Sequence, residues 1–326
     1  MKRLCYPVIV VISLVVTTIG YAQDQVTPKQ DKPARAKKAA PQQPMATESN
    51  VAYGDHPRQV LDFWRAESEK PTPVLFFIHG GGWMAGDKAK VSNLTQYLND
   101  GISVVSINYR YVSQAYDAGI QPPVKAPLHD AARALQFVRS KSAEWNLDKS
   151  RVGASGGSAG ACSSLWLAFH DDMADPNSDD PIARESTRLT CAAVNGAQTT
   201  LDPKQMKEWT PNSRYGSHAF GIFKPSDKKY TQDFDAFLNR RDEIAEWIAE
   251  YSPYAQVTAD DPPVYLAYSA PPALGQDQKD PTHTSNFGVQ LQQHMNQVGV
   301  ACELVYPNAP NVKHATITDY LIDMLK

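Results

Sequence analysis

The chain has 326 residues and a formal net charge of −3 at pH 7, and 42% of its residues are hydrophobic. Its one basic cluster, at residues 32–38, falls in a stretch with almost no large apolar side chain. No folded surface is therefore expected to follow the phosphates of a nucleic acid, and we expect no nucleic-acid partner.

The N-terminus has the pattern of an export signal. Lys2 and Arg3 precede an apolar run at residues 8–16, and Gly20 and Ala22 supply small side chains at the positions that a signal peptidase reads. The run falls short of the roughly 18 to 20 apolar residues that a membrane-spanning helix needs. We therefore expect residues 1–22 to be a cleaved signal peptide, which predicts a periplasmic or secreted protein with no stable membrane span.

Composition divides the rest of the chain in two. Residues 23–50 are rich in Gln, Lys, Pro and Ala and cannot bury enough apolar surface to offset chain entropy, so they are predicted to be a disordered linker. Residues 51–326 are long enough for one larger α/β domain.

The cysteines do not indicate a disulfide framework or a metal site. If Cys5 leaves with the signal, an odd set remains, comprising Cys162, Cys191 and Cys302. None of these has CxxC spacing, so buried thiols are expected.

Short runs rich in Val and Ile alternate with longer amphipathic stretches, a pattern typical of a mostly parallel central sheet with helices on both faces. Six core strands are predicted, at residues 74–79, 102–108, 151–155, 190–194, 264–269 and 302–306. Residues 51–63 are expected to add antiparallel edge strands.

Residues 198–257 break the alternation and are predicted to form a cap inserted after a sheet strand, with a helix at 235–251. Trp209, Tyr215, Phe220 and Phe223 either line a substrate pocket there or simply hold the insertion together. The sequence leaves both readings open.

Two overlapping Gly-x-Ser-x-Gly patterns lie between residues 153 and 160, centred on Ser155 and Ser158. A nucleophilic serine on such a turn needs a strand running in and a helix running out. Ser158 follows the strand and precedes a good helix former, whereas Ser155 is followed by two glycines that disfavour a helix. Ser158 is therefore the predicted nucleophile.

A second motif, His79-Gly80-Gly81-Gly82-Trp83, stands at the end of an earlier strand. Glycines leave backbone N–H groups unshielded, and such donors can stabilise the oxyanion of acyl transfer. The expected donors are Gly81, Gly82 and Ala159, with His79, Gly80 and Trp83 in supporting positions.

With HGGGW, Gly86-Asp87-Lys88 and GGSAG in this order, the chain resembles serine esterases of the α/β-hydrolase fold. The likeness is to the HGGG type, in the lipase/esterase, feruloyl-esterase-like and carboxylesterase branch, and it covers residues 53–326. The resemblance implies an α/β-hydrolase fold and a Ser-His-Asp catalytic triad.

In that fold the acid follows the strand after the cap and the histidine follows the last strand. His314 is the histidine in the final loop and is therefore the predicted base. Asp280, in an Asp-Pro pair similar to that of the family, is the predicted acid, and Asp277 is the alternative. His283 and His294 are expected to be surface histidines without a catalytic role.

These features together predict a hydrolase that cleaves a carboxylic ester through an acyl-enzyme, with water as second substrate and no metal or organic cofactor. The expected partner is a small-molecule ester, with acylated carbohydrates among the candidates, and the oligomeric state stays open. The alternatives are an amidase such as an arylformamidase or a peptidase on the same fold, and a catalytically silent binding module.

Overall fold

The computed structural model describes Met1, residues 43–226 and residues 228–326. The predicted signal peptide and most of the predicted linker lie outside the described residues, apart from Met1 and residues 43–50. The first strand begins at Glu48, and the indole of Trp64 donates a hydrogen bond to the carbonyl of Pro44 at 3.0 Å. The first strand therefore includes residues that precede the expected boundary at residue 51.

Eight strands form one sheet, in the order β1-β2-β4-β3-β5-β6-β7-β8. The strands β1 and β2 are antiparallel to their neighbours, and the pairs from β4 to β8 are parallel. The predicted six core strands and antiparallel edge are thus confirmed. Their bounds are β1 Glu48–Ala52, β2 Val60–Trp64, β3 Thr72–Ile78, β4 Ser103–Ile107, β5 Leu147–Gly157, β6 Cys191–Asn195, β7 Val264–Ala267 and β8 Cys302–Val305.

Helices cover both faces of the sheet, because side chains along each strand alternate between two hydrophobic clusters. The helices are α1 Leu94–Asn99, α2 Val112–Asp117, α3 Lys125–Ser140, α4 Ser142–Trp145, α5 Ala159–Phe169, α6 Pro203–Trp209, α7 Phe234–Asn239, α8 Ala245–Tyr251, α9 Pro253–Gln256, α10 Ser285–Gln297 and α11 Ile317–Leu325. Phe76 belongs to the cluster beneath α3, α5 and α10, and its neighbour Leu75 belongs to the one beneath α1 and α11.

The insertion between β6 and β7 contains α6 to α9 and two 3₁₀ turns, Ser217–Phe220 and Arg241–Ile244. The single helix expected at residues 235–251 is instead divided into α7, the second 3₁₀ turn and α8. That turn presents Arg241 to Asp202, the residue that caps α6, in a paired ion contact at 2.7 Å. This ion pair is a tertiary contact made at the point where a continuous helix over residues 235–251 is interrupted.

Within the described residues, no helix is both long and apolar enough to cross a bilayer. The thiols of Cys162 and Cys191 are buried, that of Cys302 is partly buried, and none of the three forms a disulfide. Burial raises the pKa of the Cys191 thiol to about 12, so it stays protonated at neutral pH.

The fold brings β3, β5 and α5 unusually close together at the C-terminal edge of the sheet. A Cβ atom on Gly160 would lie 2.1 Å from the carbonyl oxygen of Ile78, and one on Gly156 would lie 2.4 Å from the same oxygen. Both glycines are therefore required by packing.

We predict that Gly160→Ala lowers the free energy of unfolding by about 2 kcal/mol or more, because the added methyl group meets backbone that cannot move aside. Gly157→Ala is the matched control, since its Cβ would meet nothing closer than the carbonyl oxygen of Asn195 at 3.8 Å. Urea unfolding of both variants measures the difference. Equal stabilities would contradict the packing argument.

Candidate active site

Ser158 stands alone between β5 and α5, at the strand-to-helix turn that the sequence predicts. Its backbone has φ 54° and ψ −123°, a conformation that is strained for any residue other than glycine. Ser155 lies inside β5 instead, where its buried hydroxyl donates to the carbonyl of Ala193 at 2.6 Å. Of the two serines, only Ser158 occupies the turn.

The imidazole that contacts this serine belongs to His283. Its Nε2 lies 2.9 Å from Oγ of Ser158. The predicted partner of Ser158 was His314, and this prediction requires correction, as does the expectation that His283 is a bystander.

Asp280 completes the hydrogen-bond chain, with its Oδ2 at 2.9 Å from Nδ1 of His283. Burial opposes ionisation of this carboxyl, but hydrogen bonds from His283 outweigh it and lower the pKa of Asp280. The ionised carboxylate can only accept, so Nδ1 of the neutral ring carries the proton and Nε2 accepts from the serine hydroxyl. Asp277, the alternative acid, is exposed to solvent and takes no part in the chain.

Local turn chemistry explains why acid and base lie together. Oδ1 of Asp280 accepts from the backbone N–H groups of Thr282 and His283, both at 3.2 Å, which folds the carboxylate back over its own turn. Thr284 then caps α10 through the backbone N–H of Asn286. The helix start therefore fixes the direction in which His283 projects.

His314 is clamped elsewhere, between β8 and α11. Its Nδ1 lies 2.7 Å from Glu303 and its Nε2 lies 3.0 Å from Asp323. Burial would lower the pKa of this imidazole, but the hydrogen bonds to Glu303 and Asp323 outweigh burial and raise it. Both ring nitrogens are occupied, which leaves neither for Ser158.

The three glycines at residues 80–82, which we call the glycine loop, follow β3 and are held by contacts to nearby carbonyl groups. The buried ring of His79 donates from Nδ1 to the carbonyl of Gly80 at 2.7 Å, and Arg58 lies 3.3 Å from Nε2 of His79. Tyr109 donates to the carbonyl of His79 at 2.8 Å and stacks on its ring. Burial lowers the pKa of His79, so the ring is neutral and serves to shape the loop.

Trp83 connects the glycine loop to the helix that follows Ser158. It is fully buried at φ 55°, and its indole N–H donates to Oγ of Ser163 at 2.9 Å. Ser163 in turn donates to the carbonyl of Ala159 at 2.9 Å. Loop and helix are therefore fixed relative to one another.

The expected oxyanion donors are free to bind. Gly81 and Gly82 have φ values of 105° and 62°, and neither donates its N–H to another described residue. The N–H of Ala159 lies in the first turn of α5, where helix geometry leaves donors unpaired. A Cβ on Gly80 would lie 3.5 Å from Cβ of Ser158, so the loop packs against the serine turn.

The cap reaches the glycine loop through His218, whose Nε2 donates to the carbonyl of Gly82 at 2.9 Å. Burial lowers the pKa of His218 to about 4, so this ring is neutral at pH 7. Of the four aromatic candidates, Tyr215 lies at Gly82. The other three pack against aromatic neighbours, namely Trp209 with Tyr254 and Phe287, Phe220 with Phe237, and Phe223 with Tyr116 and Tyr230.

A groove of about 630 Å³ runs beside the turn, on the sheet face that α1 and α11 cover. Gly80, Gly157 and Asn195 line it near the turn, and Phe77 and Ala267 also line it. Part of a substrate could therefore lie next to the glycine loop.

Two histidines at this site were missed by sequence reasoning. The signal for His283 is its spacing of three residues from Asp280, which places both in one turn. A further signal is that Lys313 and Ala315 flank His314, whereas the esterases that the chain resembles often have a glycine beside the base. No pattern in the sequence indicates that His218 contacts Gly82.

Comparison with protein families gives a match between residues 61–278 and the BD-FAE family model. This range includes the glycine loop and Ser158 but ends before Asp280 and His283.

Two curated relatives match shorter parts of the chain, at identities of 32% and 33%. It is 32% identical to a probable isoprenylcysteine alpha-carbonyl methylesterase of Arabidopsis thaliana over 142 residues, which cover 43% of this chain and 28% of that protein. It is 33% identical to the esterase LipC of Mycobacterium tuberculosis over 116 residues, which cover 34% of this chain and 27% of that protein. The chain thus spans less than a third of the length of these relatives.

Solved structures show the same fold. An acetyl ester-xyloside bifunctional hydrolase from Caldicellulosiruptor lactoaceticus has a TM-score of 0.56 at 22% identity, over 79% of both chains. The phosphonylated esterase 2 of Thermogutta terrifontis has a TM-score of 0.58 at 20% identity, over 86% of this chain and 94% of that chain. The architecture is that of an α/β-hydrolase.

We predict that His314 supports stability, in a pH-dependent manner. Because its folded pKa is raised, its stabilising contribution is fully present below the unfolded value of about 6.5 and is lost as the pH rises through the folded pKa. The free energies of unfolding of His314→Gln and wild type should therefore differ most near about pH 5.5 and least near about pH 9. A difference that stays constant or grows with pH would contradict this.

Proposed function

Because the chain belongs to the BD-FAE family, we propose that it is a serine hydrolase that cleaves a carboxylic ester through an acyl-enzyme. The observation that carries the proposal is the hydrogen-bond chain from Asp280 through His283 to Ser158, at the strained strand-to-helix turn. Nucleophile, base and orienting acid stand in the order that acyl transfer requires. The esterase names of the curated relatives support the ester class.

In the proposed mechanism, Oγ of Ser158 attacks the ester carbonyl while Nε2 of His283 takes the hydroxyl proton. The imidazolium that forms is stabilised by the carboxylate of Asp280, which also holds the ring in the required tautomer. His283 then gives the proton to the leaving alkoxide as the C–O bond breaks. Water, deprotonated by the same imidazole, attacks the acyl-enzyme. The bond between Oγ and the acyl carbon then breaks, the imidazolium returns the proton to Ser158, and the acid leaves.

Negative charge develops on the former carbonyl oxygen during both attacks. We assign its stabilisation to the N–H groups of Gly81, Gly82 and Ala159, on the basis of their unpaired donors beside Ser158. Each such donor typically contributes about 10²- to 10³-fold to kcat. The contacts of His79 and Trp83 keep the loop from rearranging as the charge forms.

The exposure of the acid and base bears on the alcohol part of the substrate. The side chain of His283 is 37% exposed and that of Asp280 is 60% exposed, so the leaving-group side of Ser158 is open to solvent. A bulky alcohol can therefore project outward while the acyl group stays near the glycine loop. Acylated carbohydrates fit this arrangement, and one structural neighbour is named a carbohydrate esterase and another an acetyl ester-xyloside bifunctional hydrolase.

We predict that Ser158→Ala lowers kcat for short p-nitrophenyl esters by at least about 10⁴-fold, because the variant lacks the hydroxyl that forms the acyl-enzyme. Ser155→Ala is the matched control, as its hydroxyl contacts only the sheet backbone. Circular dichroism should show both variants folded. Undiminished turnover by folded Ser158→Ala would refute the proposal.

The same assay separates esters from amides. An ester and an anilide that carry the same acyl group are compared, and the ester should be hydrolysed faster. Acetylated and feruloylated glycans extend the substrate panel to carbohydrates. A preference for the anilide would favour an amidase instead.

A further inference from the structure

The hydroxyl of Tyr215, in the cap, is buried and takes no part in the mechanism proposed above. Within the described residues, its Oη has no hydrogen-bond partner. A buried hydroxyl without a partner has lost its hydration without compensation, which is unfavourable for the folded protein. Buried polar groups without a partner are exceptions in folded proteins, and a catalytic role is one explanation for such a group.

This hydroxyl points at the glycine loop. A Cβ atom on Gly82 would lie 3.6 Å from Oη of Tyr215, so the space above Gly82 faces the hydroxyl directly. The same glycine supplies one of the proposed oxyanion donors. The hydroxyl thus lies beside Gly82, two residues along the glycine loop from Gly80, which packs against Ser158.

Cap contacts hold Tyr215 in this place. Its ring packs edge-on against His218, with ring centres 4.9 Å apart. His218 in turn donates a hydrogen bond to the carbonyl of Gly82. Burial raises the pKa of Tyr215, so its hydroxyl keeps its proton at neutral pH and remains a donor. The orientation is therefore set before substrate binds.

We propose that the Tyr215 hydroxyl donates a hydrogen bond to the oxyanion that forms when Ser158 attacks the ester, as a donor supplied by the cap. This inference rests on the proposed function and deepens it. Proton transfer is not involved, because Ser158 loses its proton to His283 and the tyrosine only donates a hydrogen bond. The cap would thereby act on the chemical step as well as on substrate access.

The test is Tyr215→Phe, which removes one oxygen atom and keeps the ring. Because the hydroxyl has no protein partner, the melting temperature should be unchanged or higher. The kcat for p-nitrophenyl acetate should fall by at least about tenfold, with KM changed by less than about threefold, since the bond strengthens only as charge develops. Phenylboronic acid, which forms a tetrahedral adduct with the serine, should bind more weakly by a similar factor.

Tyr320→Phe is the matched control. Its hydroxyl is also buried without a partner among the described residues, but it lies on α11 beside His314. Removing it should leave the melting temperature unchanged or higher, and kcat unaffected.

Wild type and Ser158→Ala are measured in the same series. If wild-type turnover depends on Ser158 and Tyr215→Phe matches wild type, or changes KM alone, the inference is wrong and the proposed function stands. A fall in melting temperature together with activity would also overturn it, because the hydroxyl would then be structural. Absence of Ser158-dependent turnover in wild type would overturn both.

Discussion

The close approach of β3, β5 and α5 is the constraint on which the site depends. Gly156 and Gly160 let α5 begin directly against the carbonyl oxygen of Ile78, at a separation that leaves no room for a side chain. Between these glycines, Ser158 adopts a positive φ at the turn from β5 into α5. The glycine loop must follow the same edge, because it leaves β3 one residue after Ile78.

The position of the histidine follows from local turn chemistry at the end of β7. A base three residues after its acid needs no long-range contact to be oriented, since the carboxylate binds both the ring and the backbone of its own turn. The loop after β8 therefore supplies no residue to the proposed triad. His314, in that loop, instead joins β8 to α11 through Glu303 and Asp323. The proposed triad is consequently more exposed than one buried beneath that loop.

Features with local or periodic signals could be predicted from the sequence, namely the parallel sheet, the serine turn at Ser158 and the glycine loop. The catalytic histidine could not be predicted in this way. Chain order pointed to His314, whereas the contacts of each ring decide which histidine meets Ser158. The positions of Tyr215 and His218 depend on how the cap docks on the loop, and no periodicity encodes that docking. Export through residues 1–22 stays a prediction.

The central claim, that His283 is the base, is tested most directly by comparing His283→Asn with His314→Asn in the full chain. On p-nitrophenyl acetate at neutral pH, His283→Asn should lower kcat by at least about 10³-fold, whereas folded His314→Asn should stay within about threefold of wild type. The reverse pattern, with activity retained by His283→Asn and lost by a folded His314→Asn, would contradict the account.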